Sequence, residues 1–294
     1  MKLFAPSYYK NFKCIADKCK NSCCIGWEID IDAATLEKYK NLKSGYGISI
    51  METISMEDTP HFKLCKGERC PHLDENGLCK IIINEGESYL SDICREHPRF
   101  YNYTSVCEMG IGMSCEEAAR VILSSPDYDK LEYIGEVDIE EFRTDFDGTV
   151  ERSEIYKILH SAKDYKTALE EIYSKYQIGI GEDKVYLKTL DSLEYLDEKH
   201  RELFGNYSSK NRLDIGCDKY LERFLAYLIY RHTTEAFDYD DFVLRLSFCL
   251  FCERLLASLM CFKKAEELND VATLARIISE EIEYSEDNTE ALMY

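Results

Sequence analysis

The sequence predicts a mainly α protein in which a cysteine-rich, metal-binding N-terminal region packs on a helical C-terminal region. Three observations predict this. Ten of the fourteen cysteines lie within residues 1–115 of the 294-residue chain. The acidic excess lies elsewhere: residues 1–115 are net −2 and residues 116–294 net −18. Beyond about residue 150, apolar residues recur at helical spacing. Hydrophobic residues at 45% and charged residues at 31% are globular rather than disordered composition.

The elements follow in order. Residues 1–31 read as loop and short strand, with Trp27-Glu28-Ile29-Asp30-Ile31 alternating apolar and acidic as a strand does. Asp32 is placed to cap a helix over Ala33 to Leu42. Residues 63–79 are turn-rich and hairpin-like. Lys80 to Asn84 fits a strand or the start of a helix, and Ser91 to His97 a short helix ended by Pro98. Ser114-Cys115-Glu116-Glu117 fits a capping box ahead of a helix over Ala118 to Ser124, stopped by Pro126. Residues 127–150 are acidic and irregular. Helical runs follow through Ile155–Tyr176, Leu187–Leu196, Leu221–Leu228 and Val271–Ile282. The run near 240–262 is apolar on most faces and is expected at the centre. The acidic runs at 136–147 and 280–287 read as solvated faces.

Dense cysteines in a reducing compartment read as metal or cluster ligands before disulfides. One set is Cys14-x4-Cys19-x3-Cys23-Cys24, and the second is Cys70-x8-Cys79-x14-Cys94 with Cys115 further on. Four thiolates suit zinc, an iron–sulfur cluster or Cu(I). Ligands are expected from these eight, with Cys19, Cys23 or Cys24, Cys79 and Cys94 favoured because the turns there are tightest. Cys65, Cys107 and the four C-terminal cysteines are expected to be dispensable, Cys249 and Cys252 as core residues. The expected division is a cysteine-rich metal or iron–sulfur region over 1–125, a linker over 126–150 and a helical region over 151–294. The CxxxCxxC motif of radical S-adenosylmethionine enzymes is absent, since Gly26 stands at the third place after Cys19-x3-Cys23.

Several motifs carry a specific resemblance. Phe12-Lys13-Cys14-x4-Cys19-x3-Cys23-Cys24-x-Gly26-Trp27-x-Ile29-x-Ile31-Asp32 resembles the start of the flagellin lysine-N-methylase family. The likeness continues through Cys70-Pro71-His72-Leu73, Gly77-Leu78-Cys79-x-Ile81 and Gly86-Glu87-x2-Leu90-Ser91-x2-Cys94-x2-His97-Pro98-Arg99. It ends at Met113-Ser114-Cys115-Glu116-Glu117-Ala118-Ala119-Arg120. The frame is also similar to the putative zinc- or iron-chelating CxxCxxCC domains. Glu116 and His97 stand where the family usually has Pro and Tyr. The resemblance implies methyl transfer from S-adenosylmethionine to lysines of flagellin by a protein carrying an iron–sulfur cluster of the [4Fe–4S] type, with zinc as the alternative.

Gly110-x-Gly112 and Gly179-x-Gly181 are too short for a dinucleotide fingerprint and lack its strand–helix context. Any cofactor pocket is therefore built another way. Trp27 and Arg99 are the cofactor-binding candidates, Trp27 either shielding the cluster or stacking on adenine. Tyr101, Tyr103, Glu85 and Glu87, closest in sequence to the cluster cysteines, are the catalytic candidates. His72 and His97 stand as ligands or supporting donors, and His160, His200 and His232 as surface or interhelical residues. A net charge of −20 disfavours nucleic acid and anionic membrane surfaces. Arg245, Glu253 and Arg254 interrupt the most apolar stretch, and the N-terminus has no signal-like apolar run, so a cytoplasmic protein is expected. The competing function is a non-enzymatic metal or iron–sulfur protein with a structural, chelating or electron-transfer role.

Overall fold

A computed structural model describes residues 1–139, 146–211 and 215–293. The chain is mainly α and divides into two compact units. One comprises Lys13–Pro98; the other comprises Met1–Phe12 with Arg99–Tyr294, so the small unit is an insertion within the large one. The boundaries thus fall at 12 and 98 rather than at 125, and Cys107 and Cys115 belong to the large unit.

The first strand, β1 (Lys2–Pro6), opens the large unit, and the insertion follows. In it, α1 (Ala33–Asn41) starts at Asp32, whose carboxylate accepts from the Thr35 N–H at 2.8 Å, as the cap pattern predicts. Next come α2 (Gly45–Glu52), β2 (Ile54–Ser55), β3 (His61–Phe62), α3 (Lys80–Glu85) and α4 (Asp92–Glu96). Lys80 to Asn84 is therefore helical. Residues 27–31 form no strand, because they meet a partner at one bridge, Asp30 to His61. The alternation still sorts side chains: Ile29 and Ile31 are buried, while Glu28 and Asp30 are exposed. The Ile29 carbonyl accepts from the Phe62 N–H and the Ile31 N–H donates to the Pro60 carbonyl. The core of this unit is small, built around Tyr39, Ile50, Phe62 and Ile81.

The large unit resumes with β4 (Arg99–Tyr103), β5 (Cys107–Ile111), α5 (Glu116–Ser124) and β6 (Leu131–Glu136). Strand order is β4-β5-β1-β6, with β1 parallel to β5 and the other pairs antiparallel. The linker expected over 126–150 is thus in part a strand, since Leu131, Tyr133 and Ile134 give the segment something to pair with despite its charge. Residues 140–145 of that segment, and of the 136–147 acidic run, lie outside the described residues. The capping box is corrected too. Cys115, not Ser114, is the cap of α5, and Glu117 turns to Arg120 at 2.8 Å instead of bonding back.

Helices α6 (Gly148–Ser161), α7 (Tyr165–Lys175), α8 (Asp183–Ser192), α9 (Glu198–Phe204), α10 (Asp218–His232), α11 (Tyr239–Lys263), α12 (Leu268–Ile278) and α13 (Glu286–Met293) complete the unit. Helix α11 is the central one, buried nearly all round, with Cys249 and Cys252 inside the core. No described helix is long and apolar enough to cross a membrane. Gly110 and Gly112 serve packing: a Cβ at 110 would meet the Phe100 ring at 2.2 Å, and one at 112 the Tyr284 hydroxyl at 2.2 Å.

The 280–287 run is a solvated face only in part: Glu286 and Asp287 are exposed, whereas Glu281 and Glu283 are buried. Between α12 and α13 a π turn, Ser279–Glu283, rotates Glu281 and Glu283 inward. Glu281 pairs with His200 of α9 at 2.5 Å. Glu283 pairs with His232 at 2.7 Å and with Arg231 at 3.5 Å, both from α10. Burial would raise the Glu283 carboxyl, but Arg231 and His232 outweigh it and hold it at about 2. A carboxyl depressed from its unfolded value of about 4.3 adds stability above that pH, and loses it as pH falls toward the folded value. Glu283→Gln should therefore destabilise most at neutral pH, and the gap to wild type in urea midpoint should narrow toward pH 3. A gap that widens in acid would contradict the assignment.

Candidate metal centre

Four cysteines from separate segments gather on the small unit's core. Cys70 is buried there, and Cys24, Cys79 and Cys94 pack against the same cluster, half-buried. Backbone pairing brings them together. The Cys70 N–H donates to the Cys24 carbonyl at 2.9 Å, and Ile25 bridges Arg69. The Asp74 carboxylate accepts from Asn76 and Leu78, both at 2.8 Å, closing a tight loop. That loop lets Leu73 bridge Cys79 and the Lys80 N–H reach the His72 carbonyl at 2.8 Å. Helix α1 fixes the fourth member: Tyr39 donates to the Tyr89 carbonyl at 2.7 Å, and Asp32 accepts from the Asp92 N–H at 2.9 Å. Asp32 thus caps α1 with one oxygen and holds the start of α4 with the other.

The thiols act on one another electrostatically. A hydrogen bond from Cys23 holds Cys24 down at about 7 against burial, with Ser22 and Arg69 helping. Burial pushes Cys70 up to about 12 and Cys94 up to about 11, and the neighbouring thiols add to both shifts. Cys79 is also raised, by burial first. It stands at the N-cap position of α3 without a side-chain cap bond, and the nearby N–H groups of Ile81 and Ile82 offset part of the rise. The His72 N–H donates to Cys70 Sγ at 3.4 Å. Burial keeps Cys70, Cys79 and Cys94 protonated, so metal ligation would have to displace their protons. The group is chemically suited to a thiolate-bound centre.

Among the described residues, the group whose metal-ligating atoms lie within 4.8 Å of one another is a different one, His200, Glu280 and Glu281. There Glu281 accepts from the Leu196 and Asp197 N–H groups as well as facing His200, and Glu280 pairs with Arg276 at 2.6 Å. Those bonds account for the arrangement without an ion, and the adjacent guanidinium opposes a cation.

The remaining expected residues divide between the units. Cys14 and Cys23 are exposed and Cys19 half-buried in the small unit, whereas Cys115 packs against the large core. Cys70 thus stands with Cys24, Cys79 and Cys94 where the turn argument favoured Cys19. Cys70 is among the eight candidates, and its signal is Cys70-Pro71-His72, whose histidine is buried beside Tyr46 and Phe62. His72 does not offer a nitrogen to the thiols. Its Nδ1 meets the Tyr46 hydroxyl at 2.8 Å and its Nε2 the Thr53 hydroxyl at 3.0 Å. Trp27 donates its indole N–H to the Cys23 carbonyl at 2.8 Å, and its ring lies 6.3 Å from that of His97. Glu85 accepts from the Ser44 hydroxyl at 2.5 Å, and Glu87 is exposed. Arg99, Tyr101 and Tyr103 lie on β4 of the large unit. Arg99 donates to the Tyr9 hydroxyl at 2.8 Å, and the two tyrosine rings stack 6.3 Å apart. Burial raises the Tyr103 phenol above its ordinary value.

Comparison with known proteins bears out the resemblance read from the motifs. The chain is 30% identical over 137 residues to the lysine-N-methylases of Salmonella choleraesuis (strain SC-B67) and Salmonella typhimurium (strain LT2), covering 42% of this chain and 32% of each of those. It is 28% identical over 130 residues to flagellar biosynthetic protein FliU of Salmonella muenchen, covering 42% of this chain and 77% of that protein. The chain therefore spans about a third of the length of the two lysine-N-methylases. No family model matches the chain. No solved structure matches it either.

Proposed function

We propose that the protein is a flagellin-type lysine N-methyltransferase that takes its methyl group from S-adenosylmethionine. In this reading Cys24, Cys70, Cys79 and Cys94 hold a [4Fe–4S] cluster, with zinc as the alternative occupant. The convergence of those four thiols, in a chain similar to lysine-N-methylases, is the observation that supports it. With all four thiols bound, a cluster would have no open iron position, so it would supply a fixed structural and electrostatic centre rather than a Lewis-acid site.

The protein's own residues have three tasks. The first is attraction: the −18 of residues 116–294 raises the local concentration of lysine-rich surfaces. The second is proton removal, since a lysine ammonium titrates near 10.4 and has no lone pair for attack. Of the four base candidates, Tyr103 is the less available because burial keeps its phenol protonated, and the exposed Glu87 is the more available carboxylate. Tyr101 and Glu85 complete the set. The third is donor binding. Trp27 spends its N–H on the Cys23 carbonyl, so what it offers an adenine is its ring.

Anaerobically purified protein, mixed with flagellin and labelled methyl donor, should label lysine side chains. The rate should fall as salt rises, because steering between exposed charges is screened within about 8 Å at physiological ionic strength. Metal analysis and the visible absorption of the same sample identify the centre. An intact centre with no label on flagellin or other lysine-rich proteins would favour the non-enzymatic metal protein instead.

A further inference from the structure

We infer that β6 is a docking edge for a lysine-bearing extended segment, which joins the sheet as an added strand. This rests on the lysine-methyltransferase reading and names how the substrate protein is held. The order β4-β5-β1-β6 leaves two outer strands. On the β4 edge a side chain already takes an outward donor: the Tyr103 N–H donates to the Glu235 carboxylate at 2.6 Å. Strand β6 pairs with β1 along one side, and among the described residues no other strand borders it. Its apolar side chains are uncovered, with Leu131 37%, Tyr133 55% and Ile134 41% exposed. An exposed apolar edge is a template for pairing that proteins ordinarily block, and strand addition is how such edges are used in recognition.

The register gives the outward face. The Ser7 N–H donates to the Lys130 carbonyl at 2.7 Å, so Lys130 bonds inward. Antiparallel alternation then turns the N–H and C=O of Leu131 and Tyr133 outward. The pairing shifts between Leu3 and Phe4, leaving Ile134 as an extra residue that breaks the run. The added segment is therefore short.

Charge chooses the occupant. Residues 127–139 carry five acidic side chains and one basic one. A second copy of the chain would bring one acidic strand against another, and like charges directly opposed across a pair are destabilising. A segment alternating lysine with apolar residues instead opposes Glu132 and Glu136 while covering Leu131, Tyr133 and Ile134. Lys10 already meets Glu132 at 2.7 Å, in an exposed pair of the kind worth little, which a substrate lysine can replace.

The test uses the full chain and a fluorescein-labelled peptide of alternating valine and lysine, followed by anisotropy without methyl donor. Wild type should bind it, and Tyr133→Lys/Ile134→Lys should bind about tenfold more weakly, as expected for two lost cross-strand contacts. The variant should stay folded with a slightly lowered melting temperature, because both positions are exposed but the Tyr133 ring contact with Phe4 is lost. A valine–glutamate peptide should not bind. Equal affinity for the variant, or equal binding of the glutamate peptide, overturns the inference. Self-association of wild type that the variant abolishes would overturn the choice of occupant. Flagellin labelled normally by the variant sinks the docking edge and leaves the activity. Peptide binding at β6 without any lysine labelling supports the edge and removes the activity.

Discussion

Cys94→Ala is expected to reduce bound metal to near zero and to unfold the small unit while the large unit stays helical. The small unit's fully buried apolar core is ten side chains between Ile29 and Ile81, and with so small a core the loss of one bound group can unfold it. Where ligands come from several segments, binding free energy is folding free energy. Cys94 is the member supplied by α4, which the remainder of the unit holds chiefly through Asp32 and Tyr39. Removing its sulfur leaves a centre one ligand short. The protein's one tryptophan, Trp27, lies in this unit, so its fluorescence reports on the small unit alone. Its emission should shift red in the variant, while far-ultraviolet circular dichroism should keep most of its helical signal. Cys14→Ala, an exposed position, and Cys107→Ala, in β5, should retain full metal. Full metal in the Cys94 variant would mean that the four thiols named here are not the ligand set.

Arg152→Ala should destabilise the large unit by about 3–5 kcal/mol, the usual consequence of stripping one partner from a buried ion pair. Arg152 of α6 reaches Glu108 of β5 with two bonds, at 2.6 and 2.7 Å, and also donates to the Thr234 hydroxyl at 2.7 Å. Both side chains are nearly inaccessible, at 6% and 3% exposure. The Arg152 guanidinium lies 5.0 Å from the centre of the Tyr230 ring, whose hydroxyl bonds to the Met109 carbonyl. Alanine leaves an ionised carboxylate in an apolar enclosure with one neighbour gone. Replacing both partners, as Glu108→Leu/Arg152→Met, should recover much of the loss, since the penalty comes from the orphaned charge rather than from the pair's net worth. Urea unfolding of the single and double variants measures the difference. A single variant within about 1 kcal/mol of wild type would place the pair in a wetter setting than the fold gives it.

Sequence alone determined what depends on neighbouring residues. The Asp32 cap is legible because a carboxylate three residues before an N–H can satisfy it within one turn. The central position of α11 follows from its lack of any polar face long enough to stay wet. The cysteine frame and its family resemblance were legible for the same reason, as short spacings. Only the tertiary structure decided what depends on pairing across distance. Cys70 joins Cys24 through a backbone bond between segments with no local relation, so tight turns pointed to Cys19 instead. Glu281 and Glu283 look like any acidic run until α9 and α10 bring His200, Arg231 and His232 against them. β6 reads as a linker until β1 supplies its hydrogen bonds. A side chain's local preference is written in its neighbours along the chain. Whether burial is tolerable is set by a partner that another element must deliver, and that delivery is a property of the packed fold.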